Sequence, residues 1–342
     1  MCAAHSSTRV AFFVFLLIPF FAAPAARAAS EKSPYLKSYQ RPKDIPYPSA
    51  TPYSKSRELL GKTLFFDPRL SGSNWISCAT CHNPALSWGD GLGKGIGVGM
   101  KTLGRRTPTI LNLAWGELMF WDGRADSLEA QALGPVTAAG EMNLPPGQLL
   151  NKLESIPGYT QLFQAAFPGE SITEANVARA IATYERTIIS GEAPFDRWVK
   201  GDESAISGTA KKGFALFNEK ALCSKCHSGW RFTDEGFYDI GVDDEDLGRG
   251  QVLAEIESLQ HAFKTPTLRN VAQRAPYLHN GSEQSLVEVI AFYNQGGKAH
   301  RASVSEHIKP LHLSADEQAA LVEFLKTLTS QDPAVTIPIL PR

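Results

Sequence analysis

Cys78-Ala79-Thr80-Cys81-His82 and Cys223-Ser224-Lys225-Cys226-His227 are the two stretches on which the reading of the fold turns. Each is a Cys-x-x-Cys-His pentapeptide, the spacing of c-type haem attachment. Two thiols one helical turn apart can each add to a vinyl group of one porphyrin, and the histidine that follows lies beneath the iron as its proximal ligand. Disulfides and zinc are the competing uses of such thiols. Neither requires a histidine directly after the second cysteine, twice. The motifs therefore predict two covalently bound haem c groups, held by Cys78, Cys81, Cys223 and Cys226, with His82 and His227 as iron ligands.

Working outward, the motifs belong to a duplicated unit. Upstream stand Gly61-Lys-Thr-Leu-Phe65 and Gly213-Phe-Ala-Leu-Phe217; downstream stand Pro108-Thr-Ile-Leu-Asn-Leu-Ala114 and Pro266-Thr-Leu-Arg-Asn-Val-Ala272. Trp121-Asp-Gly123 is matched by His279-Asn-Gly281, and Ser127-Leu128 by Ser285-Leu286, all at a constant offset of 158 from Pro108 onward. The chain reads as mainly α, with one haem domain over 55–190, a second over 191–330, and little strand. A capping box at Ser171-x-x-Glu174 opens a helix toward Ser190 with Val177, Ile181, Tyr184 and Ile188 on its core face, and Gly191 as its stop. A second box, Ser314-x-x-Glu317, opens a helix carrying Leu321, Val322, Leu325 and Leu328. Pro34, Pro42, Pro46, Pro48 and Pro52 make 29–54 an extended arm, and 331–342 reads as a tail. The acidic run Asp243 to Asp246 lacks the order of a calcium loop and reads as a solvated turn. Gly89 to Gly99 has no strict G-x-G-x-x-G, which argues against a dinucleotide site.

Composition agrees with an exported globular protein. Of 342 residues, 43% are hydrophobic and 20% charged, with 34 basic against 35 acidic side chains. Collagen-like, disordered and multi-span membrane classes are excluded, and a net charge of -1 gives no reason to expect nucleic acid. Arg9, the apolar run Val10 to Phe21 and Ala-Arg-Ala at 26–28 follow the order of a secretory signal over 1–28, too short to span a bilayer. Cleavage removes Cys2, leaving four cysteines, all of them in haem motifs, and no membrane span in a protein of the periplasm.

The residues opposite each histidine decide the chemistry. Methionines occur only at 1, 100, 119 and 142, so the second domain has no methionine for its own iron. Its candidates are His261, His279, His300, His307, His312 and several tyrosines. After cleavage the first domain has no histidine except His82. Met100, Met119 and Met142 read as packing residues.

Leu64-Phe-Phe-Asp-Pro-Arg-Leu70, the first haem motif, Arg105 to Asn112, Phe120-Trp-Asp-Gly-Arg124, Gln131, Gly134-Pro135, Glu141-Met142 and Phe263 to Gly281 together resemble the bacterial di-haem cytochrome c peroxidase and MauG family, in order over about 55–330. The resemblance implies two cytochrome c-like domains, with Trp121 between the haems as an electron-transfer relay. It also implies that Gln131 and Glu141 line an open peroxide pocket at the first haem, Glu141 being the acid/base group. Two departures are informative. Val98 stands where the peroxidases have a histidine that ligates the first haem at rest. Tyr293 stands where they have the methionine ligand of the second. Both resemble the MauG branch, although Tyr293 by itself also reads as a core aromatic. Moving back 158 residues from Tyr293 reaches Pro135, which has no donor atom. His279 reads as a hydrogen-bonding pocket residue.

The activity implied is peroxide cleavage at the first haem, with oxidising equivalents shared with the second and drawn on by a protein or other bulky donor. Hydrogen peroxide is thus one partner. An ordinary cytochrome c peroxidase, fed by a small cytochrome or a cupredoxin, and a non-catalytic di-haem electron carrier are the alternatives. Family members also hold calcium between the domains, partly through an asparagine that aligns with Arg106. A guanidinium could supply that charge instead, or carbonyls and water could keep the ion.

Overall fold

The computed structural model describes residues 1–3 and 34–342; the signal segment and the start of the arm fall within 4–33, outside the described residues. Helix Lys55–Phe66 begins where the Ser54 hydroxyl accepts from the Arg57 N–H, 3.4 Å, and ends at Asp67 because Pro68 holds the preceding residue extended. Its buried side, Leu60, Leu64 and Phe65, packs on helix Glu174–Arg186. The same pairing recurs between Gly208–Asn218 and Ala315–Lys326. At both crossings the repeat supplies a glycine. A Cβ on Gly61 would overlap the Ala180 carbonyl oxygen, and one on Gly213 that of Ala320. These two glycines let the helix backbones touch.

Each pair is closed by the same latch. Asn112 and Asn270, both left-handed at φ 62° and 56°, donate their backbone N–H to Ile188 O, 2.9 Å, and Leu328 O, 3.1 Å. Their side-chain oxygens accept from the N–H of Ser190, 3.1 Å, and of Ser330, 2.9 Å.

Two large hydrophobic clusters and a small third one, of Met119, Ala125, Leu128 and Ala182, form within a single compact unit over 34–342. Of the large ones, one gathers Leu60 to Ile188; the other joins Leu36 and Tyr39 to residues between Phe195 and Leu328, around the rings of Phe195, Phe214, Phe217, Phe232 and Phe324. Among the described residues the only sheet is the two-residue antiparallel pair Phe237–Tyr238 with Phe263–Lys264, so the chain is mainly helical as expected.

Four local features differ from expectation. Helix Glu174–Arg186 is capped by Thr173, whose hydroxyl accepts from Asn176 N at 3.1 Å, because the Asn176 side chain takes the Ser171 carbonyl and keeps Ser171 outside the helix. That helix ends at Thr187, short of Gly191. The arm is not wholly extended: Pro34–Ser38 is helical, which a proline in the first turn permits, and Leu36 and Tyr39 bury their side chains in the second cluster. Residues 331–342 return to the first cluster, where Val335 packs, Arg69 Nη1 donates to Pro341 O, 3.0 Å, and Gly158 N donates to Arg342 O, 3.0 Å. The Ser314 box and the buried faces of both helices stand as read.

Candidate functional site

The two cysteine motifs fold alike. Cys78–Cys81 is one helical turn, with the Ser77 N–H donating to Thr80 Oγ1 at 3.0 Å; Cys223–Lys225 is a tighter turn entered through left-handed Leu222. In each, the histidine N–H donates to the carbonyl of the first cysteine, 2.9 Å, which sets the ring against both thiols. His82 Nδ1 lies 3.2 Å from Trp88 O and His227 Nδ1 lies 2.9 Å from Phe232 O. An imidazole that donates from Nδ1 to a carbonyl keeps its Nε2 lone pair for a metal, and burial pushes both rings down toward the neutral, ligating form. These donor sets fit haem.

The first cavity, about 550 Å³, is lined by Cys81, His82, Trp121, Gln131, Pro135 and Glu141, and a small annex of about 60 Å³ reaches Cys78 and Glu185. Gln131 stands in the short helix Leu128–Ala132, which Ser127 caps. Glu141 is placed by its backbone, which donates to Ala138 O and accepts from Val98 N, each 2.9 Å. Neither side chain makes a hydrogen bond to a described residue. Burial raises the Glu141 carboxyl above its ordinary value, against the lowering effect of Arg124. Val98 itself does not line the cavity; Met119 and Met142 are buried in hydrophobic clusters but reach the cavity and its annex respectively, and Met100 is exposed.

The second cavity, about 180 Å³, is lined by Cys223, Cys226, His227, His279, Tyr293 and His307. Tyr293 projects from helix Leu286–Gln295, capped by Ser285. Its hydroxyl has no hydrogen bond to a described residue, and burial beside Cys223 and Cys226 pushes the phenol well up from its usual range. Of the candidate histidines, His261, His300 and His312 do not line this cavity. His279 does, but its Nε2 is 2.7 Å from Asp244 and its ring stacks on Phe263, 3.5 Å between centroids. The acidic run is therefore only half solvated. Asp243 and Glu245 are exposed, while Asp244 turns in to His279 and Asp246 to Arg105, 2.6 Å, because both partners lie on segments that fold back over the turn.

Trp121 lines both cavities and is held from two sides: its Nε1 donates to Arg106 O, 2.8 Å, and its carbonyl accepts from Lys264 N, 2.8 Å. Its ring lies 6.5 Å from that of His279, edge to face.

Glu185 and Arg274 line these cavities without a signal in the sequence. Glu185 is buried, its Oε2 has no partner, and burial raises its carboxyl to about 8. Arg274 lies beside Arg106, and both reach the two cavities. No group of three or more histidine, cysteine or acidic side chains among the described residues is arranged to hold a metal ion.

Known proteins resemble this chain in sequence and in fold. Residues 55–204 match the family described as di-haem cytochrome c peroxidase. Over 324 residues, 94% of this chain and 92% of the relative, the chain is 50% identical to the methylamine utilization protein MauG of Methylorubrum extorquens. It is 34% identical over 339 residues to the cytochrome c551 peroxidase of Pseudomonas aeruginosa, covering 95% of this chain and 94% of that one. Among solved structures, a MauG-like protein associated with microbial copper homeostasis aligns with a TM-score of 0.79 at 29% identity, over 86% of this chain and 95% of the other.

Proposed function

We propose that this chain, which belongs to the di-haem cytochrome c peroxidase and MauG family, is a periplasmic haem oxidoreductase of MauG type that cleaves hydrogen peroxide in its first half, 55–190, and stores oxidising power in its second, 191–330. The observation that carries this division is the pair Pro135 and Tyr293, which occupy matching positions of the repeat and line the first and second cavities. Cys78, Cys81, Cys223 and Cys226 would hold two haem c groups, which would supply redox-active iron for the two-electron chemistry of peroxide.

The rest is the work of side chains. His82 and His227 each offer Nε2 to iron, fixed in that tautomer by the carbonyls of Trp88 and Phe232. Pro135 offers no donor atom at the position that Tyr293 takes in the second half, so the first cavity keeps room for peroxide beside Gln131 and Glu141. Glu141 accepts a proton from one peroxide oxygen and returns it to the other, which departs as water; the remaining oxygen leaves as a second water once the donor has supplied two electrons and solvent two protons. Gln131, unengaged by neighbours, is placed to orient the peroxide. Tyr293 supplies a phenolate, which a metal makes accessible by lowering the phenol pKa and which favours higher iron oxidation states. Trp121, pinned between the cavities, carries electrons from one to the other. The donor is a protein: a substrate protein, a cytochrome or a cupredoxin. Among the described residues no helix is long and apolar enough to cross a membrane.

Optical and electron-spin-resonance spectra of the resting ferric protein test this. One high-spin and one low-spin haem are expected, with Tyr293→Met altering only the low-spin set. Two low-spin haems would mean an electron carrier. A Tyr293→Met variant with an unchanged spectrum would mean that the phenol is a core aromatic and the protein an ordinary peroxidase.

A further inference from the structure

Where the two cavities adjoin, two buried arginines lie side by side without an acid. Arg106 and Arg274 line both cavities and are 6% and 5% exposed. Arg106 Nη2 donates to the Arg274 carbonyl and Arg274 Nη2 to the Thr267 carbonyl, while the Nε of each has no partner. Neither forms an ion pair. Asp90, the acid whose charge reaches Arg106, is held by Thr107 Oγ1 at 2.6 Å. Elsewhere the protein pairs its buried arginines: Arg186 with Glu129, 2.8 Å, and Arg269 with Asp196, 2.9 Å. Burial together with the Arg106 charge lowers Arg274 to about 9.

Two adjacent, desolvated cations with donors to spare require an anion. The carboxylates that covalent attachment leaves free on each haem are its propionates, and a guanidinium is well matched to a carboxylate. We propose that Arg106 and Arg274 form a shared anion site for propionates of both haems, a fixed cation standing where a divalent ion would otherwise bridge them, so that this protein works without calcium. The inference rests on the di-haem reading above. It also gives the Arg106–Trp121 hydrogen bond a purpose, since the residue that anchors the propionates is the one that orients the indole between the cavities.

The test uses the holoprotein, with the haem count per chain measured first; a count other than two overturns the functional reading and not this site alone. In a two-haem protein, dialysis against a calcium chelator is expected to leave spectra and peroxide reactivity unchanged, with no stoichiometric calcium found beforehand. Arg106→Met and Arg274→Met should each lower the midpoint potentials of both haems, because a positive charge beside the propionates disfavours the ferric state, whereas Arg274→Lys should retain most of the wild-type values. Stoichiometric calcium whose removal alters the spectra, or methionine variants that shift neither potential or only one, would overturn the proposal. If the methionine variants fail to take up haem, chelation of the wild type decides.

Discussion

The first and second halves share a helix crossing at glycine, an asparagine latch and a histidine turned by a backbone carbonyl, yet they line their cavities with different chemistry. The first offers about 550 Å³, a proline and an unengaged carboxylate; the second offers about 180 Å³ and a phenol. Duplication thus preserved what holds a haem and let what faces it diverge. The latches are backbone hydrogen bonds at a left-handed asparagine, a geometry that tolerates few replacements. Pro135 and Tyr293 take part in neither latch, so these matching positions could diverge at little cost to the fold.

The difference can be broken most sharply at Glu141. Glu141→Gln keeps the size and removes the base, so the rate of reaction with peroxide should fall by roughly 10²–10⁴-fold in stopped-flow measurements, with the second haem's spectrum unchanged. In the wild type that rate should rise with pH through the Glu141 carboxyl, whose value burial holds above the ordinary one, since the base must be deprotonated to act. A rate that is flat through the acidic range would remove Glu141 from the mechanism.

The likeness of the halves can be probed at the glycines. Gly61→Ala and Gly213→Ala each place a methyl group on a neighbouring helix carbonyl and should each cost roughly 1–3 kcal/mol in chemical denaturation. A large cost at one and none at the other would mean that the two crossings are not equivalent.

The smallest effect is expected at Glu185, which sits at the first cavity while the matching crossing in the second half is uncharged there. Its folded-state pKa of about 8 lies above the ordinary carboxylate value, so the folded protein binds the proton more tightly than the unfolded chain and loses stability as pH rises toward and through 8. Glu185→Gln should therefore stabilise by about 1–2 kcal/mol at alkaline pH and change little below pH 4. Equal stabilisation at both ends of the range would show that the charge is not the cause.

What could be read from the sequence rests on short spacing. The haem motifs, the Ser314 box, the face of Val177, Ile181, Tyr184 and Ile188 and the repeated glycines are all set by neighbours within a turn or two. What escaped depends on approach between distant segments. Asp246 meets Arg105 across 141 residues and Arg106 meets Arg274 across 168, and no local pattern marks such partners. Ser171 failed as a cap for a nearer reason: two hydroxyls two residues apart both fit the rule, and the Asn176 side chain selected Thr173. Glu185 lies beside the buried apolar face of its helix, where an acid reads as a boundary residue and not as one that reaches a cavity.

The returning segment 335–342 bears on the order in which the molecule comes into being. A chain is made and delivered from its amino end, so the half containing His82 emerges first, but Arg69 Nη1 and the Gly158 N–H find their acceptors in Pro341 and Arg342. The half that carries Glu141 is begun first and fastened only after the half that carries Tyr293 has been synthesised.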